Sequence, residues 1–204
     1  MADLNSYSMA SGIGQQHDNK KQRGRSPMAT LSLLLAGLFL LLSPVRGAEV
    51  PAGKEFQIKS VFLYNFAQFV EWPTTAFESP TSPMVIGVLG LDPFGEFLDQ
   101  TVMGESVNGH PLVVERYPTV ADVRPCHILF VSGPQAGQAD ALGSLLRGSP
   151  VLTVADANNG PPGTMVRFVM ERNRVRLRIK LEAAREAGLN ISSKLLRSAE
   201  IVTR

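Results

Sequence analysis

Residues 56–73, FQIKSVFLYNFAQFVEWP, decide how the rest of the chain is read. Phe62, Phe66, Phe69 and Val70 recur at three- and four-residue steps, and Ile58 extends the stripe one turn back. That is the period of one helical face. Aromatic side chains bury a large area each, so this face is expected to anchor the core. Pro73 disfavours helical geometry at Trp72 and predicts the end of the helix there. Nothing in the pattern is chemical; it is a packing element.

On the N-terminal side, residues 1–48 read as a signal peptide. Lys20, Lys21, Arg23 and Arg25 form a basic region, and Met28–Leu42 form an apolar run of 15 residues. That length suits an export signal and is short for a membrane-spanning helix, which needs about 20. Val45 and Gly47 place cleavage after Gly47, with a mature chain in the periplasm; an uncleaved N-terminal anchor is the alternative. The leader before Met28 is long, and Met9 and Met28 are alternative starts. The first 48 residues hold five of the 20 Lys/Arg and two of the 18 Asp/Glu, leaving 15 basic against 16 acidic, a net charge of −1. Bulk charge therefore gives no case for nucleic acid as a partner. Cys126 is the only cysteine, which excludes an intrachain disulfide. It is either a buried small hydrophobe, as the flanking CHILFV suggests, or an intermolecular bridge.

On the C-terminal side, residues 49–204 are long enough for one α/β domain. Met84–Leu89, Pro111–Tyr117, His127–Ser132 and Val151–Ala155 are strands, and the first, third and fourth are apolar throughout, as in a parallel sheet buried on both faces. Between them, Asp92 and Pro93 open a helix that runs to about Met103 and buries Phe94, Phe97, Leu98 and Val102. A helix over 135–147 turns Leu142, Leu145 and Leu146 inward. The pattern then changes. Thr164–Met170 and Arg174–Lys180 form a hairpin in which Val175, Leu177 and Ile179 face one way and Arg174, Arg176, Arg178 and Lys180 the other. A helix from Glu182 closes at Gly188, and Ser192 caps a last helix with Leu195, Leu196, Ala199 and Val202 inward. The fold class is α/β: a single domain, its mostly parallel sheet covered by helices on both faces, with a C-terminal antiparallel hairpin.

Chemistry is sparse. Asp92, Ser132 and Asp156 should lie at the carboxyl ends of parallel strands, where ligands of open sheets bind, but each is also explained as a cap or turn residue. No metal-ligand spacing, nucleophile motif or phosphate loop is present, so no catalytic residue and no cofactor is expected. The stripe of Arg174, Arg176, Arg178 and Lys180 has two readings. It is either a charged edge strand that resists edge-to-edge pairing or a docking face for an acidic partner.

Three segments together, KSVFLYNFAQFVEWP, VLGLDPFG with CHILFVS, and RIKLEAAREAGLNISSKLLRSAEIV, resemble the YfiR family of exported bacterial proteins. The likeness runs from about Phe56 to Val202 and rests on order and spacing. It implies a non-enzymatic periplasmic regulator that represses a membrane-bound diguanylate cyclase, lowers cyclic-di-GMP, affects biofilm formation and forms homodimers. A sensor kinase is a second possible partner. The alternative reading is a periplasmic small-molecule binding protein using the crevice at Asp92, Ser132 and Asp156. The family's best-known member uses disulfides, which Cys126 alone cannot reproduce within one chain.

Overall fold

A computed structural model describes residues 52–133, 138–157 and 160–203. The chain divides into Met1–Arg46 and Gly47–Arg204, and every described element belongs to the second unit. The expected signal peptide lies outside the described residues.

The aromatic helix, α1, spans Ala52–Phe69. Its buried face is made by Lys59, Ser60, Leu63, Phe66 and Ala67, with Phe56 and Phe62 half-buried beside them. Ile58 is 43% exposed and does not belong to the stripe. The inward phase is carried by Leu63 and Ala67, which turns Ile58 and Val61 to the outside. Pro73 does not end the helix. Val70–Glu71 (β1) leave it to pair antiparallel with Asn190–Ile191 (β9), and the Ser192 N–H bonds the Phe69 carbonyl at 2.8 Å. A two-residue ladder therefore stops the helix three residues before Trp72.

Eight strands form the main sheet: β2 (Met84–Leu89), β3 (Ser106–Val107), β4 (His110–Tyr117), β5 (Ile128–Val131), β6 (Leu152–Asp156), β7 (Val166–Glu171), β8 (Arg174–Ile179) and β10 (Ala199–Ile201). Their order is β10-β8-β7-β6-β5-β2-β4-β3, antiparallel only at β7–β8 and β3–β4. The 171–174 turn carries Arg172 and Asn173 at φ 48° and 63°, the left-handed pair that a tight hairpin needs.

The register defines two faces. On the first, Val88, Phe130, Val154, Val166 and Ile179 lie in one row across five strands and pack under α1. Phe66 stacks on Phe168 with ring centroids 6.0 Å apart, and Phe94 meets Phe130 edge-on at 4.7 Å. On the second, Leu89, Val131 and Ala155 are buried under α3 (Ala139–Leu146) and a short turn at Val120–Asp122. Gly87 lies here because a Cβ would stand 2.6 Å from the Tyr117 ring. The same row continues onto Arg167, Arg178 and Glu200, charged positions on β7, β8 and β10.

Four expectations need correction. The helix after Asp92, α2, spans Glu96–Val102, and Gly95 rather than Asp92 precedes it. Phe97 is 38% exposed, while Phe94, Leu98 and Val102 are buried as expected. In α3 only Leu142 is fully buried and Leu145 points out at 45% exposure; residues 135–137 of the expected helix lie outside the described residues. The last helix is one turn, Ser193–Leu196 (α5), after which Ala199–Ile201 add a parallel strand to β8. A vacant sheet edge beside β8 offers backbone partners that outweigh helical periodicity over so short a stretch. The helix Leu181–Glu186 (α4) closes at Gly188, φ 75°, as expected.

Candidate functional site

The carboxyl ends of β2, β5 and β6 adjoin, so Asp92, Ser132 and Asp156 do stand along one edge of the sheet. The two acids are nevertheless drawn into separate ion pairs. Asp92 Oδ1 accepts from the Phe94 N–H at 2.7 Å, an Asx turn, and its Oδ2 takes Arg116 Nε at 2.7 Å. Arg116 also binds Asp99 on α2, and these carboxylates hold the guanidinium proton more firmly than usual. Ser132 is half-buried, its backbone N–H on the Leu89 carbonyl.

Asp156 meets a residue that sequence reasoning missed. Lys59, on the aromatic face of α1, is 2% exposed, and its ammonium lies 2.5 Å from both Asp156 Oδ1 and Glu55 Oε1. It also stands over the Phe56 ring at 4.7 Å and 5.7 Å from the Phe168 ring. Two carboxylates and two aromatic faces compensate the lost water. One signal was present: Lys59 sits three residues after Phe56 and four before Leu63, on the inward phase. Chemically this is a clasp between α1 and the end of β6. Among the described residues no group of three or more His, Cys, Asp or Glu could hold a metal ion.

The basic stripe is the other candidate. The alternation on β8 is as expected, with Leu177 and Ile179 buried and Arg174 and Arg176 exposed. The edge-strand reading is wrong, because β10 pairs outside β8 and β8 is an interior strand. Charge on β8 therefore does not guard an edge. Its members also differ. Arg178 is pinned between Glu200 at 2.8 Å and Glu171 at 3.2 Å. Arg167, opposite it on β7, donates to the carbonyls of Ala157, Gly160 and Pro161 and ties down that loop. Lys180 lies past the end of β8, at the entry to α4, where its backbone N–H bonds the Met165 carbonyl. Arg172, Arg174 and Arg176 make no ion pair among the described residues, and with Glu171 they line an open hollow at the hairpin tip. The exposed Met170 pairs with Val175 and so belongs to the other face of the hairpin.

At the amino ends of the strands, two histidines sandwich an aromatic ring. Phe77 stacks on His110 at 3.7 Å and on His127 at 4.4 Å. His110 Nδ1 lies 2.7 Å from the Ser82 carbonyl, and His127 Nδ1 accepts from the Val85 N–H at 3.0 Å. Burial pushes the His127 pKa below its ordinary value; the Ala76 backbone opposes the shift and His110 adds to it. His127 Nε2 is buried without a hydrogen bond of good geometry.

The family model described as YfiR/HmsC-like matches residues 56–200, and the chain belongs to that family. No curated protein matches the sequence. Among the described residues no helix is long and apolar enough to cross a membrane.

Proposed function

We propose that this YfiR/HmsC-like chain is an exported, non-catalytic regulator whose uncovered sheet face docks on the periplasmic part of a membrane-bound diguanylate cyclase and lowers cyclic-di-GMP output. Family membership supports the regulatory role. The observation that carries the surface is the set of three cations at the hairpin tip, Arg172 in the turn and Arg174 and Arg176 on β8, which make no ion pair among the described residues. Elsewhere on the same face the charges are neutralised by neighbours, as at Arg178. Guanidinium groups grip carboxylates in a bidentate fork, which suits an acidic partner surface. Arg172 also occupies a left-handed position that Asn or Gly adopts at lower cost, so a cation is kept at the tip against backbone preference.

The test is affinity for the cyclase's isolated periplasmic domain at low and high salt. Arg174→Glu with Arg176→Glu should weaken binding by about tenfold or more at low salt, and the difference should shrink as salt rises. In cells, the same double variant should raise cyclic-di-GMP toward the level of a gene deletion. Unchanged affinity at low salt with an intact fold would overturn the docking face. A deletion that leaves cyclic-di-GMP unaltered would overturn the cyclase as the partner.

A further inference from the structure

On the second face, at the amino ends of β5 and β6, a cavity of about 310 Å³ opens beneath the carboxyl end of α3. Val123, Leu145, Leu146 and Val151 give it apolar walls, and Arg124 and Ser149 are polar groups at its margin. A second cavity of about 330 Å³, on the other flank of α3, shares Leu146, Ser149 and Val151. The helix is thus seated by one fully buried side chain, Leu142, with empty volume to either side. Both hollows open to solvent, so the flanks of this helix have room for an occupant.

The charge pattern narrows what that occupant is. Arg124 is exposed and makes no ion pair among the described residues. The Cys126 thiol in the wall is pushed up to about 12, first by burial and then by Glu115, so it stays neutral and adds no competing anion. Glu115 itself receives the Tyr117 hydroxyl at 2.9 Å. His127 also lines the cavity as a buried ring whose protonation burial disfavours. A hollow with mixed apolar and polar walls and a guanidinium in its lining matches a small molecule that has an apolar body and a single carboxylate.

We infer that this cavity binds a small monocarboxylate, its ring or chain beneath α3 and its carboxylate on Arg124. The volume is at the lower end of ligand pockets, enough for one ring with a short chain. The inference does not rest on the docking of Arg174 and Arg176, which lie on a different part of the sheet.

The probe is 3-phenylpropionate, titrated into the purified protein and followed by backbone amide chemical shifts. Saturable binding is expected, with the shifts concentrated at residues 75–76, 124–127 and 149–151. The alcohol 3-phenylpropanol should bind about tenfold more weakly, and Arg124→Glu should weaken the acid by a similar factor. Leu145→Trp, at a half-exposed position on the wall, should fill the space and abolish binding without disturbing Leu142. The same spectra report whether each variant is folded. No saturation in the millimolar range, shifts centred elsewhere, or equal binding of acid and alcohol would overturn the inference.

Discussion

The two faces of the sheet are built from the same strands and end differently. On the first face the row from Val88 to Ile179 is apolar across five strands, because α1, with Leu98 and Val102 of α2, Ala184 of α4 and Leu195 of α5, packs over it. On the second, Leu89, Val131 and Ala155 are buried, and the next two strands of the same row carry Arg167 and Arg178. The backbone ladder is continuous through this change. What differs is the cover: α3 and the Val120–Asp122 turn shield one half, while among the described residues Arg167 on the other half meets only the loop at Ala157, Gly160 and Pro161. Burial in this sheet is decided by the layer above a strand, not by its place in the ladder.

The sharpest way to break the comparison is to empty the covered face. Phe66 is fully buried, between Phe62 and Phe168. Phe66→Ala should destabilise the protein by about 3–5 kcal/mol, a large part of a typical stability of about 5–15 kcal/mol. Chemical unfolding checks this, and loss of function should track loss of folded protein. A folded but inactive variant would move α1 from the core to an interface.

Lys59→Met should come next, at about 2–3 kcal/mol. Removing one partner of a buried ion pair strands the others, although Glu55 and Asp156 are partly exposed and can recover water. Adding Asp156→Asn should restore part of the loss, since one of the two orphaned charges is then gone. Additive losses would mean that the clasp is not a coupled unit.

These two residues also mark how far the sequence could be read. Phe66 was legible because a core face repeats locally, and Met84–Leu89 because a strand covered on both sides leaves no polar position. The β7–β8 alternation was legible for the converse reason. Lys59 was not, because its burial depends on Asp156, 97 positions away. Nor was β10: Ala199–Ile201 has too few residues to show a period of two, and its partner strand, not its composition, makes it extended. That hidden strand is why β8 looked like an edge. At the carboxyl ends, Asp92 and Asp156 were placed correctly, but their partners Arg116 and Lys59 were out of view.

A smaller effect should come from pH. The folded-state pKa of His127 is lowered by burial, while in the unfolded chain it titrates near the ordinary 6.5. The unfolded state therefore takes up a proton first on acidification. The contribution of this residue is full above about pH 6.5 and is lost as pH falls toward its folded value. In His127→Asn, whose side-chain oxygen can still accept from Val85 N–H, the dependence of the unfolding midpoint on pH between 5 and 7 should flatten relative to the parent. An unaltered slope would show that His127 does not set the dependence.

The smallest effect belongs to the uncovered face, and it separates charge that is used within the molecule from charge that is left over. Arg178 bonds both Glu171 and Glu200, yet all three are exposed, and ion pairs in water add little to stability. Arg178→Ala should leave thermal unfolding essentially where it is. Its effect on binding should have the same sign as that of Arg174→Glu with Arg176→Glu and be smaller, since no charge is reversed. Freeing Glu171 and Glu200 puts two unbalanced acids beside the unpaired arginines, which weakens the local positive field and slows association with an acidic surface, more so at low salt. Arg178→Ala combined with Glu171→Gln and Glu200→Gln removes both the pair and the stranded acids, and association should return to the parent rate. If the triple variant stays as slow as Arg178→Ala, Arg178 contacts the partner directly; if neither differs from the parent, the field of this face plays no part in recognition.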